Sequence, residues 1–391
     1  MPSGAGKSSK KSRGNGLTVA GLCDAMEKIA PTWTAAEWDN VGLLAGSTAW
    51  PLARAMLAID LTADVLDEAI RGRCDAIVAY HPPVFRAVKR LRVDRGTPEG
   101  LAAEAIANRI AVYSPHTALD AAPGGTNDTL AELAGIADPV AFASAVSPAS
   151  RCKLVVFVPS EQLEKVAAAV FDAGGGRIGD YTHCSYRLAG EGTFFGTDAT
   201  NPAVGNRGRI ERVAEIRLEV IFDKNWLADV IAAVRRSHPY EEPAFDVYPL
   251  EPLPAGPHGQ GRMGALKKPI RLAALAKSIT KKIDAPETTL VGKSSETIRR
   301  GFVCVGAAGS LPFEIPGVKL GRGDVVITGE IRHHDALRYN RAGACAIALG
   351  HWASERPALR LLAERLRDAL PGVSFVVSRN DRNPFSVDGR S

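Results

Sequence analysis

No apolar run in this sequence approaches the ~18 residues needed to cross a bilayer. That excludes a membrane-spanning helix and predicts a soluble protein. The N-terminus lacks an apolar stretch, so no secretory signal is expected. No CxxC pair occurs among the six cysteines, Cys23, Cys74, Cys152, Cys184, Cys304 and Cys345. Several stand inside apolar runs and read as buried free thiols of a reducing compartment, the cytoplasm, rather than as a structural zinc site. An excess of one charge is also nearly missing, with 48 Lys and Arg against 43 Asp and Glu. Part of the difference sits in the first sixteen residues, at Lys7, Lys10, Lys11 and Arg13. A nucleic-acid partner needs a concentrated basic face, so that class is disfavoured. Complete nucleotide motifs are absent too. Gly4-Ala5-Gly6-Lys7-Ser8 ends like a P-loop, but Met1 stands where the first glycine belongs and no strand precedes it.

The chain has 391 residues, of which 46% are hydrophobic, enough for a buried core and for two or three domains. Residues 1–16 read as a solvated basic tail. From Leu17 to about residue 150, apolar strands alternate with amphipathic helices. Arg54–Asp60, Asp75–Tyr80 and Ile110–Tyr113 are expected strands, with helices over Thr62–Arg71 and Leu101–Asn108 between them. Residues 151–253 break this alternation. A strand and a helix lead into a hairpin-like stretch, and then strand, helix and strand follow. That order resembles a ferredoxin-like α+β module inserted into the chain. Pro252–Gly264 reads as a linker. Over residues 254–391 the alternation resumes, with expected strands Gly301–Val305, Asp324–Thr328, Ala344–Leu349 and Ser374–Val377. A long helix is expected over Glu355–Leu370. The fold class is therefore α/β: a mostly parallel sheet built by the first and last thirds, flanking an insertion.

Ligands of parallel α/β sheets bind beyond the carboxyl ends of the strands. Three such ends deliver a histidine here: His81 after Asp75–Tyr80, His116 after Ile110–Tyr113, and His351 after Ala344–Leu349. The chain has only eight histidines. Asp120 and Glu355 follow two of them. His351 and Glu355 are four apart, one helical turn, on one face. Imidazoles and carboxylates from several strands suit zinc, manganese or iron(II) and hydrolytic chemistry. Each residue alone also has an ordinary explanation: His81 as a turn residue before Pro82-Pro83, His116 as a loop hydrogen-bonder, Glu355 as a complement to a helix N-terminus. Weaker candidates are Gly306-Ala307-Ala308-Gly309-Ser310 as an anion cradle and Glu330, His333, His334 and Asp335 as substrate contacts. His238-Pro239-Tyr240-Glu241-Glu242 reads mainly as a polar turn.

Six motifs in order then become informative: Trp38–Leu43, Tyr80–Phe85, His116–Asp120, Gly125–Asp128, Gly329–Ile331 and Gly350–Pro357. Together they resemble the NIF-three-like dinuclear-metal-centre family, the type 2 homologues of GTP cyclohydrolase 1, over residues 17–391. The resemblance implies a site of His81, Asp120, His351 and Glu355 holding one or two divalent ions, zinc, manganese or iron. Tyr80 stands where many members carry a further histidine, and His116 is the candidate general acid or base. It also implies a homohexamer, a trimer of dimers, with residues 151–253 similar to nitrogen-regulatory and copper-tolerance folds. The expected function is a metal-dependent hydrolase acting on a nucleotide-like or phosphoester small molecule. The alternative is a non-enzymatic metal-handling or regulatory scaffold.

Overall fold

The computed structural model describes residues 17–92, 95–146, 151–251, 254–283, 285 and 288–385. The basic tail expected over residues 1–16 lies outside them. The chain divides into two compact units, Met1–Ala145 with Ala255–Ser391, and Val146–Pro254.

The first unit is a mixed α/β structure with two five-stranded sheets. One has the order Gly42–Ala45, Ala111–Ser114, Ala76–Ala79, Arg54–Ala58, Ser374–Val377. Its pairs are parallel except for the antiparallel edge between Gly42–Ala45 and Ala111–Ser114. Ala76–Ala79 and Ala111–Ser114 are buried at every residue, as strands covered on both faces must be. The other sheet has the order Arg262–Arg271, Thr297–Cys304, Asp324–Thr328, Cys345–Ala348, Thr289–Val291. Its inner pairs are parallel and both its edges antiparallel.

The expectation of one sheet shared by both ends of the chain is thus corrected to two. Only Ser374–Val377 crosses from the last third into the first sheet. The reason is that each βαβ run finds its partners in its own neighbourhood. Periodicity reports that a strand is buried but not which sheet buries it.

Helices cover the sheets with apolar stripes at spacings of three and four. Val19–Ile29 buries Val19, Leu22, Met26 and Ile29. Ala358–Ala369 buries Leu359, Leu362, Ala363 and Leu366. Both stripes join one core with Leu57, Val78 and Tyr80 of the first sheet. The helix expected over Glu355–Leu370 is in fact two, His351–Glu355 and Ala358–Ala369. Pro357 between them has no N–H to continue the ladder.

Of the stretch expected to be a linker, residues 252 and 253 lie outside the described residues, and the rest falls in the strands Pro254–Gln260 and Arg262–Arg271 and the bend at Gly261. Gly264 lies in the strand Arg262–Arg271, and a Cβ there would meet the Ala137 carbonyl oxygen at 2.7 Å. Glycine stands at this position because another backbone crosses it closely.

The second unit is an antiparallel sheet in the order Tyr186–Phe195, Ile210–Asp223, Arg151–Pro159, Phe245–Pro249. The helices Leu163–Asp172 and Leu227–Ser237 bury Val166, Val170, Val230 and Val234 in its core. Along the chain the elements run strand, helix, strand, strand, helix, strand.

Candidate metal centre

The site is assembled at strand ends of both sheets of the first unit. His81 follows the buried strand Ala76–Ala79, and its N–H still pairs with the Ile59 carbonyl at 2.9 Å. Pro82 and Pro83 then lack the N–H groups needed to continue, so the chain turns at the histidine. His351 opens the short helix after the strand Cys345–Ala348, with Glu355 one turn on.

These three side chains converge. Glu355 Oε1 lies 3.2 Å from His351 Nε2, and Glu355 Oε2 lies 3.3 Å from His81 Nε2. The two imidazole centroids are 5.3 Å apart. One ligand atom from each of the three falls within 4.8 Å of the others. Glu355 is 2% exposed, and its Oε2 accepts no hydrogen bond.

The opposite ring nitrogens share one pattern. His81 Nδ1 is 2.9 Å from Asp60 Oδ1, and His351 Nδ1 is 2.8 Å from Glu330 Oε1. Nearby, His116 Nδ1 is 2.8 Å from Asp39 Oδ1, with its ring 5.3 Å from that of His81. A carboxylate on Nδ1 holds the proton there and leaves Nε2 as the free donor, the usual way a metal-ligating histidine is oriented. Without an ion, burial disfavours a charged His81, but the Asp60 and Glu355 carboxylates outweigh it and push its pKa up to about 10. Chiefly through Glu355, and against burial, His351 is pushed up to about 9. The cluster therefore calls for positive charge between its donors. Two imidazole nitrogens facing one buried carboxylate fit a divalent cation.

Asp120 stands beside this trio, 9% exposed, in the helix His116–Ala121. Burial is the main cause that raises its carboxyl to about 6. The Tyr80 hydroxyl donates to its Oδ1 at 2.5 Å. Burial first, then the charge of Asp120, pushes the Tyr80 phenol well above its ordinary value. Tyr80 is therefore a neutral donor that occupies one Asp120 oxygen. His116 sits at φ +25°, a backbone region that residues with a Cβ rarely adopt. Asp39 holds it from one side and also accepts from the Thr117 N–H at 3.1 Å. Burial opposes charge on Asp39, but the bonds from His116 and Thr117 prevail and lower its pKa.

Sequence pattern does not single out Asp60 and Asp39 as orienting groups, and it points Glu330 toward substrate rather than toward His351. A usable signal exists for two of them: Asp60 and Glu330 also follow the ends of parallel strands. In the Gly306–Ser310 loop, read from sequence as an anion cradle, the first amide is already engaged. The Gly306 N–H is taken by Ser354 Oγ at 3.0 Å. Its missing side chain faces the site: at φ +62°, a Cβ would meet Glu355 Oε1 at 2.5 Å and His351 Nε2 at 3.2 Å. Gly306→Ala is therefore expected to weaken divalent-ion affinity by about tenfold or more, the scale of disturbed ligand support. Equilibrium dialysis with zinc or manganese would measure it, and unchanged affinity would contradict this placement.

The remaining candidates stay outside the cluster. His333 and His334 pack against each other at 5.6 Å at the start of a helix, where Asp335 pairs with Arg332 and Arg338. His238, in the second unit, has Nε2 2.9 Å from the Phe157 carbonyl and accepts from the Tyr240 N–H at Nδ1. It is a buried, satisfied histidine. All six cysteines are free thiols.

Comparison with known proteins gives the chain's family. The family model Duf34/NIF3 (NGG1p interacting factor 3) matches residues 17–384. A Bacillus subtilis protein called GTP cyclohydrolase 1 type 2 homolog is 36% identical over 369 residues, covering 93% of this chain and 97% of its own. A Mycobacterium tuberculosis protein of the same name is 36% identical over 355 residues, covering 90% and 92%. Among solved structures, a Bacillus cereus protein related to NIF3 superposes with a TM-score of 0.63 at 30% identity, over 96% of this chain and 100% of its own. A Staphylococcus aureus protein shares the fold with a TM-score of 0.76 at 24% identity, over 95% and 99%. On the sequence match along nearly its whole length, this chain belongs to the Duf34/NIF3 (NGG1p interacting factor 3) family.

Proposed function

We propose that the chain is a metal-dependent hydrolase, with His81, His351 and Glu355 as ligands to a divalent ion and Asp120 as a further ligand on its oxygen not bonded to Tyr80. One observation carries the reading. A buried Glu355 carboxylate lies against the Nε2 atoms of two imidazoles whose Nδ1 atoms are both held by carboxylates. Zinc, manganese or iron(II), when bound, supplies Lewis acidity toward a substrate oxygen. His116 is the general acid or base: Asp39 fixes its ring through Nδ1 and leaves Nε2 to take or return a proton. The relatives' name, GTP cyclohydrolase 1 type 2 homolog, favours a nucleotide-like or phosphoester substrate.

The second unit is read as ferredoxin-like and as the oligomerising element of a homohexamer, a trimer of dimers. Its strand, helix, strand, strand, helix, strand order supports the fold. Exposed Tyr186, Leu188, Phe195 and Ile210 on its long hairpin support self-association.

A non-enzymatic metal-handling role is the second reading, favoured by Tyr80. By occupying one Asp120 oxygen, Tyr80 leaves a donor set suited to exchange. Elemental analysis of purified protein, with turnover of GTP and a phosphoester panel, separates the two. Hydrolysis that falls with metal content in His351→Ala supports the enzyme. Activity that survives His351→Ala rejects it, and rapid metal exchange without turnover selects the second reading.

A further inference from the structure

A cavity of about 650 Å³ borders another face of the short helix that carries His351 and Glu355. Those two residues stack along one side of the helix, whereas Trp352 and Arg356 lie roughly 100° around it and line this cavity. Four cationic side chains surround the space: Lys282, Arg356, Arg360 and Arg379. No carboxylate lines it among the described residues.

Two of the charges, those of Lys282 and Arg360, have no carboxylate partner among the described residues. Among the described residues, Lys282 Nζ donates only to a neutral group, the Leu133 carbonyl, at 2.8 Å. The Arg360 guanidinium has no hydrogen bond or carboxylate partner among the described residues, and its charge acts against that of Arg356. Arg356 is paired: its Nε lies 2.9 Å from Asp381 Oδ2, and its Nη2 donates to the Ser378 carbonyl at 2.9 Å.

We infer that this cavity binds a phosphate-bearing anion. Guanidinium groups match phosphate oxygens in charge and geometry, and several around one concave space make an anion site. Its volume is that of a small-molecule pocket and exceeds the needs of inorganic phosphate alone. Trp352 and Ile283 supply an apolar wall for an organic portion. The site is separate from the metal centre and does not depend on it.

Isothermal titration of chelator-treated full-length protein with inorganic phosphate, pyrophosphate and ATP tests the inference. Binding is expected to weaken with salt and to persist in His351→Ala, which removes direct coordination of the anion by a metal as the explanation. Arg360→Ala and Arg379→Ala, at exposed positions, are each expected to weaken it by about tenfold, and Arg360→Lys by less. Equal affinity for phosphate and ATP identifies free phosphate as the ligand; tighter ATP binding identifies a phosphorylated small molecule. Absence of binding to the metal-free protein at millimolar ligand, or alanine variants that bind like the parent, overturns the inference.

Discussion

Glu355→Gln is expected to abolish divalent-ion binding at the proposed site while the fold persists. Glutamine preserves the shape of a side chain that is 2% exposed, so no cavity forms. It removes the negative charge that lies against both His81 Nε2 and His351 Nε2. Loss of an anionic ligand should cost at least the ~100-fold affinity that altered outer-shell support can cost. Metal content by elemental analysis reads this directly; a stoichiometric ion in the variant would refute the ligand assignment.

The same variant has a signature in the metal-free state. His81 and His351 titrate near 10 and 9 in the fold, above the ordinary 6.5. Groups raised in this way stabilise the fold fully below 6.5, and that contribution fades as pH rises through 9 to 10. Glu355, held low by both histidines against burial, contributes in the opposite sense: its stability is present above its ordinary value and lost in acid. Chelated parent protein should therefore lose stability in urea between neutral pH and pH 10. The loss should be shallower in Glu355→Gln, because the partner that raises both histidines is gone. Equal slopes would show that these pairs do not govern the response.

Arg262→Ala is expected to destabilise the first unit by about 3–5 kcal/mol, the usual effect of breaking a buried ion pair from one side. The side chain is 2% exposed. Its Nε and Nη2 donate to Asp128 at 2.7 and 2.9 Å, and its Nη1 to the Gly259 and Gly261 carbonyls at 2.7 and 2.8 Å. Nη2 also reaches the Ala121 and Ala122 carbonyls at 3.3 and 3.0 Å. Alanine would leave these acceptors without their donor and a carboxylate without its cation. Arg262 belongs to an edge strand of the second sheet, whereas Ala121 ends the helix that carries Asp120 and follows the first sheet. The variant should therefore also loosen Asp120. Urea unfolding would measure the effect, and a change below about 1 kcal/mol would show that water replaces the arginine.

The strand ends are readable without coordinates because they depend on local pattern. A buried parallel strand is a continuous apolar run, and the residue after it points to the binding edge; His81 and His351 are found that way. The four-residue step to Glu355 follows from helix geometry. The elements of the second unit are readable for the same reason, as alternating strand and helix periods. Pairing at a distance is another matter. Asp60 lies 21 residues from His81, Asp39 lies 77 from His116, and Glu330 lies 21 from His351. No periodicity links such positions, so the carboxylates that select each imidazole's tautomer emerge only when the sheets are assembled. The division into two sheets, the Tyr80 hydroxyl on Asp120 and the space kept open at Gly306 are of the same kind. Residue type and helix or strand period are local, and they suffice to identify which residues could serve as ligands. How those ligands are aimed and charged is settled only in the folded chain, because orientation and desolvation depend on neighbours brought together from far apart.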